Sequence, residues 1–139
     1  MNKLSKYILA ICLIALTTCN AFADHSACQA TLSQQAWSGT ARLDGQEITV
    51  KKLTFNPTLT TMSILDSSDP TPITVGIFVT CSQDNTVHIN NLLGSEYLLN
   101  LSGNLSKVSN SYHLTLSGKK SEYQHPSILK NANIDVVSN

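Results

Sequence analysis

The chain has 139 residues, of which only 13% are charged, with nine basic and nine acidic side chains. Its basic residues cluster no further than the pairs Lys51-Lys52 and Lys119-Lys120. That leaves no patch able to neutralise a phosphate backbone, and nucleic acid is excluded as an expected partner. A polar complement rich in Ser, Thr and Asn suits an extracellular or periplasmic β protein better than a charged helical bundle.

In chain order, the first element is a targeting segment. Lys3 and Lys6 precede an apolar run from Tyr7 to Leu16, and the small-x-small triplet Ala21-Phe22-Ala23 follows. Together they read as a cleavable secretory signal over residues 1–23. The run is shorter than the ~20 residues of a spanning helix, so no stable membrane span is expected in the mature chain. Lipid attachment at Cys19 is the alternative, but Thr18 is larger than the residue such sites place before the cysteine. The expected product is one domain, residues 24–139, secreted or periplasmic. The short lysine-bearing signal and the lack of a disulfide-dense framework suit a bacterial source. In the mature chain the nine acids outnumber the bases by two, because Lys3 and Lys6 leave with the signal.

Removal of the signal also takes Cys12 and Cys19, so Cys28 and Cys81 have only each other in an oxidising compartment. One disulfide is expected. Two cysteines without a Cys-x-x-Cys pair do not make a structural zinc site. The proposed terminus Asp24-His25 offers an amine, an amide and an imidazole to Cu(II), yet the tighter terminal arrangement needs histidine at the third position. No metal and no cofactor is expected.

Period-two alternation dominates from Trp37 onward, and no long helical stripe competes with it. Trp37, Gly39, Ala41 and Leu43 share a face, Asp44-Gly45 supplies a tight hairpin turn, and Ile48 and Val50 resume the inward face. At Lys51-Lys52 the phase slips, because Leu53 and Phe55 are out of step with Val50, which predicts a β-bulge or a bend. Asn56-Pro57 ends that strand. A third run spans Leu59 to Leu65, and Asp66 to Pro72, with two prolines, is a loop. The next strand, Ile73 to Cys81, directs Ile73, Val75, Ile77, Val79 and Cys81 to one side.

Gln83-Asp84-Asn85 is the following turn, Val87 and Ile89 open another strand, and Gly94-Ser95 closes it. Tyr97, Leu99 and Leu101 then alternate, as do Tyr112, Leu114 and Leu116. Both strands carry Leu-x-Leu-Ser-Gly, at Leu99 to Gly103 and at Leu114 to Gly118. Two copies are too few for a solenoid, and a paired hairpin is the simpler reading. Pro126 suits the start of a helical turn, and Ile134 and Val136 suit a last edge strand. The whole is expected to be all-β, a single small antiparallel barrel or sandwich of about seven to eight strands with one disulfide.

No catalytic signature is present: there is no Gly-x-Ser-x-Gly elbow, no His-Glu-x-x-His and no phosphate-cradling glycine loop. His88 and His113 fall on polar strand faces, where they would form a surface imidazole pair only on neighbouring strands. The expected function is a secreted or periplasmic binding module of inhibitor, adhesion or envelope accessory type, with a protein or glycan partner. Its candidate contact residues are Asp66, Asp69, Tyr123 and His125, because loops and exposed aromatics on a rigid scaffold carry recognition. Trp37, Tyr97 and Tyr112 are in phase with the apolar face and are expected to pack inward. The alternative is a small secreted hydrolase pairing a histidine such as His113 with a carboxylate or hydroxyl. A third reading is a pilus-type subunit, an incomplete sandwich completed by an added strand.

Overall fold

The computed structural model describes residues 27–91, 98–121, 125 and 127–139. The expected signal segment, Asp24-His25, Gly94-Ser95, Tyr97, Tyr123 and Pro126 lie outside the described residues. Eight antiparallel strands follow one another around a closed barrel. They are β1 (Ala36–Leu43), β2 (Gln46–Phe55), β3 (Thr61–Asp66), β4 (Ile73–Cys81), β5 (Thr86–Asn91), β6 (Leu99–Val108), β7 (Ser111–Ser121) and β8 (Leu129–Ser138). The ring closes where β1 pairs with β8 over seven residue pairs, from Trp37 opposite Ser138 to Leu43 opposite Ala132. The segment expected to be an edge strand therefore starts earlier, at Leu129, and is paired on both sides, with β7 as well as β1. Of the two architectures open to the sequence, the barrel forms.

Alternation sets the inside of the ring. Val50, Ile77, Val87, Ile89, Leu114 and Val136 are buried, whereas the intervening Thr49, Phe78, His88, Asn100 and Asp135 are exposed. Apolar residues inside and mostly polar residues outside is the reverse of a transmembrane barrel. Among the described residues no helix is long and apolar enough to cross a membrane.

The local irregularities expected from the sequence are in place. Asp44 and Gly45 both take positive φ, 51° and 84°, as a type I′ hairpin turn requires. The register of β2 with β3 shifts between Val50 and Lys52. Against β1 the same two residues, Lys51 and Lys52, are accommodated where Trp37 faces Leu53 and Gly39 faces Val50. This bulge lets Val50, Leu53 and Phe55 all turn inward despite their broken spacing.

The Leu-x-Leu-Ser-Gly copies pair antiparallel with each other, Ser102 opposite Ser117, so Gly103 faces Leu116 and Gly118 faces Leu101. A Cβ at Gly103 would sit 1.7 Å from the Thr115 carbonyl oxygen, and one at Gly118 would sit 1.9 Å from that of Asn100. Only glycine permits this approach, and paired glycines at such points let a sheet bend into a barrel. The repeat is a curvature device in the β6–β7 hairpin.

Two local structures depart from the sequence expectation. Residues 56–60 form a turn rather than the start of β3, because the Asn56 side chain organises them. Its Oδ1 accepts from the Thr60 and Thr61 amides at 2.7 and 2.9 Å, and its Nδ2 donates to the Thr58 and Thr60 hydroxyls. The second is a short helix, α1, over residues 27–34. Two turns are too few for a periodic stripe, but Cys28 and Leu32, four apart, lie on one face and are both buried.

Helix α1 caps one end of the barrel. Leu32 is fully buried, the Trp37 indole donates to its carbonyl at 3.4 Å, and the Cys28–Cys81 disulfide ties the cap to the end of β4. The β2–β3, β4–β5 and β6–β7 turns lie at this closed end. The β1–β2 turn and the loops leaving β3, β5 and β7 lie at the other.

Candidate functional site

The uncapped end holds a cavity of about 450 Å³ inside the barrel. Its walls come from every strand except β5. Ala41, Leu43 and Ile48 contribute from β1 and β2, Met62, Ile64 and Val75 from β3 and β4, and Leu99, Leu101, Ala132 and Ile134 from the far side. The space exists because inward positions at this level carry small side chains. Ala41 faces Ile134 across the β1–β8 seam, and Gly118 lies beside Ala132. At the capped level the corresponding inward positions carry Trp37, Leu53, Leu114 and Val136, which fill the interior.

Apolar residues also ring the mouth. Ile73 is 67% exposed at the start of β4, and Leu98, Ile128 and Leu129 are exposed around the same end. They leave an apolar rim around the entrance of an apolar cavity.

Three side chains of the wall are polar. Thr74 donates outward to the Ser63 hydroxyl at 3.2 Å. Ser121 is buried, and its hydroxyl accepts from the Leu98 amide at 2.6 Å while its own amide donates to the Leu98 carbonyl. Lys120 is the one charged residue among the described residues lining the cavity. It continues the inward series Leu114, Leu116, Gly118 and stands between Leu99 on β6 and Lys130 on β8.

The carboxylates on the described loops at this end are engaged locally. Asp66 accepts from the Ser68 amide at 2.9 Å and Asp69 from the Thr71 amide at 2.8 Å. Both are side-chain turns that fix the β3–β4 loop. The Ser68 amide, more than any other contact, holds the Asp66 carboxyl below the usual carboxylate range. Asp44 lies 4.0 Å from the Lys130 ammonium. No carboxylate among the described residues pairs with Lys120.

Of the residues singled out in the sequence, Asp66 and Asp69 lie on a loop at the cavity end without lining the cavity. His125 is exposed in the β7–β8 connection, its carbonyl accepting from the Ile128 amide, and Tyr123 lies outside the described residues. Cys28 and Cys81 are bonded at the opposite end. Trp37 is fully buried and Tyr112 packs half-buried against the core. The cavity residues and Lys120 were not singled out, although a lysine in phase with Leu114 and Leu116 is a readable signal.

The histidines do not converge. His88 is on β5 and His113 on β7, separated by β6. His113 Nε2 meets Asp135 Oδ1 at 2.5 Å, and Ser106 is its cross-strand neighbour. This alignment lies on the outer wall, with His113 and Asp135 side chains 35% and 64% exposed, and no hydrogen bond joins Ser106 to His113. A hydrolytic site needs that nucleophile–base contact and a place to hold substrate. Among the described residues, no three His, Cys, Asp or Glu side chains are grouped as metal ligands. A second depression, about 180 Å³, lies against α1 and is lined by Cys28, Asn85, Lys107 and Tyr112 among others.

No protein-family model, no curated protein and no solved structure matches this chain. The site is therefore read from its own chemistry.

Proposed function

We propose that the protein is a binding module of the cell envelope or its exterior that carries a small apolar or amphiphilic molecule inside the open end of its barrel. One observation carries this reading: a cavity of about 450 Å³, walled almost entirely by aliphatic side chains, within an otherwise well-filled barrel. Its size falls inside the roughly 300–1,000 Å³ of small-molecule sites. Eight strands are about the number that leaves room for one small ligand. An apolar lining holds water poorly, so such a space gains by taking up an apolar molecule.

The aliphatic wall also narrows the class of partner. A glycan needs convergent hydrogen-bond donors and acceptors, and here the Ser121 and Thr74 side chains are engaged with the Leu98 amide and Ser63. The secretory signal and the single disulfide fit a carrier that works in an oxidising compartment.

The test is fluorescence titration of the oxidised protein with the neutral apolar probe N-phenylnaphthylamine. Saturable enhancement is expected with the wild type, and its loss with Ala132→Leu, which puts bulk into the cavity. Enhancement that is absent from the wild type, or unchanged by Ala132→Leu in a folded protein, overturns the reading.

A further inference from the structure

Resting on that reading, we infer that the ligand is a single-chain amphiphile with a carboxylate head group, its chain in the cavity and its head group paired with Lys120 at the mouth. Lys120 is half-buried, points into the ring between Leu99 and Lys130, and is the only charge among the described lining residues. A lysine at an apolar boundary lays its aliphatic stem along the wall and keeps its ammonium toward water, and Lys120, half-buried near the end of β7, is placed to do so.

Among the described residues, no carboxylate compensates this positive charge. Asp66 and Asp69 are tied into their own turns, and Asp44 stands by Lys130, so none of them serves Lys120. An incoming carboxylate offers the ammonium a charge-assisted hydrogen bond that no described carboxylate supplies. One lysine suits a head group of single charge. A phosphate dianion is better served by several donors or by the fork of an arginine, and the lining contains no arginine. The exposed apolar rim of Ile73, Leu98, Ile128 and Leu129 gives the chain of such a molecule a surface to cross on entry.

Competition against bound N-phenylnaphthylamine tests this with three ligands of one chain length: decanoate, decanol and decyltrimethylammonium. Decanoate is expected to displace the probe at about tenfold lower concentration than decanol, the worth of one charge-assisted hydrogen bond. The cationic ligand is expected to be the weakest. Lys120→Met should erase the preference for decanoate while leaving decanol unchanged, and Lys120→Arg should restore most of it. Thermal melts of both variants check that they fold.

Equal displacement by decanoate and decanol, with the probe itself bound, overturns the head-group inference and leaves the cavity reading standing. A decanoate preference that survives Lys120→Met overturns the assignment to Lys120. Failure of the neutral probe to bind the wild type overturns the cavity reading, and the head-group inference falls with it.

Discussion

The two ends of this barrel are built on the same alternation and reach opposite results. At the capped end, Leu32, Trp37, Leu53, Ile77 and Val87 are all fully buried, and a disulfide fastens the lid. At the open end, Leu43, Ile48, Ile64 and Val75 are only partly buried and surround empty volume. The difference lies in Ala41, Gly118 and Ala132 at the open end against Trp37 and the capping Leu32 at the other, not in which positions face inward. A filled interior contributes stability through burial and close packing, whereas a hollow one gives up part of that stability to leave room for something else.

The sharpest way to break this contrast is to remove one large side chain from each end. Trp37→Ala is expected to cost about 3–5 kcal/mol, because it empties a fully packed site and strips Leu32 of a hydrogen-bonded neighbour. Leu43→Ala, at the mouth, is expected to cost about 1 kcal/mol or less, since its side chain is already half in water. Urea unfolding of the two variants checks both numbers. Similar costs would mean that the open end is as tightly packed in solution as the capped one.

Reduction of the disulfide separates the ends in another way. Cys28 and Cys81 are 53 residues apart, and opening a loop of that length is expected to cost about 4 kcal/mol on the chain-entropy account. The cap would loosen, but the cavity walls contain neither cysteine. The urea midpoint should fall on reduction, while probe affinity at low urea should stay within about twofold of the oxidised protein, less than half a kcal/mol. Loss of affinity in step with the disulfide would tie the cavity to the cap.

How much of this could be read beforehand follows from what alternation reports. It gives the facing of residues, so most of the strands, the irregularity at Lys51-Lys52, the Asp44-Gly45 turn and the inward Cys81 were legible. Barrel closure was not, because the pairing of β1 with β8 joins Trp37 to Ser138 across almost the whole chain, and periodicity carries no long-range term. Helix α1 escaped because two turns offer only Cys28 and Leu32 as a stripe. The cavity escaped because Ala41 and Ala132 count as apolar and inward just as Leu114 does, and hollowness is a property of summed volumes. The sequence points to Asp66, Asp69, Tyr123 and His125 for recognition, and the structure gives Asp66 and Asp69 a turn-forming role beside the cavity.

Filling the hollow end should sharpen the comparison from the opposite side. Ala132→Leu adds side-chain volume where there is space for it, so a gain of about 0.5–2 kcal/mol is expected in urea unfolding, together with the loss of probe binding. A structural role alone would make stability and binding rise or fall together. Their movement in opposite directions is what a site held open for a ligand requires.

The smallest effect expected is in acid, and it belongs to the turns. Asp84, in the turn after β4 at the capped end, accepts from the Thr86 amide at 3.1 Å, and the Thr86 contacts are the main cause that holds its carboxyl below the ordinary value of 3.8. Asp66 is held down in the same way by Ser68 at the open end. A carboxyl whose folded value is depressed stabilises the protein fully above its unfolded value and loses that contribution as the pH falls through the lowered folded value. Stability should therefore slope downward below about pH 3.8, and Asp84→Asn and Asp66→Asn should each flatten part of the slope while lowering stability slightly at pH 7. Melting curves between neutral and strongly acidic pH check this. Both carboxylates sit in surface turns, so the slopes should be shallow and should weaken further with salt. If Asp84→Asn shifts the melt and Asp66→Asn does not, the acid-sensitive turn is the one that continues β4 beyond the disulfide, and the rim of the cavity is free to move without unfolding the barrel.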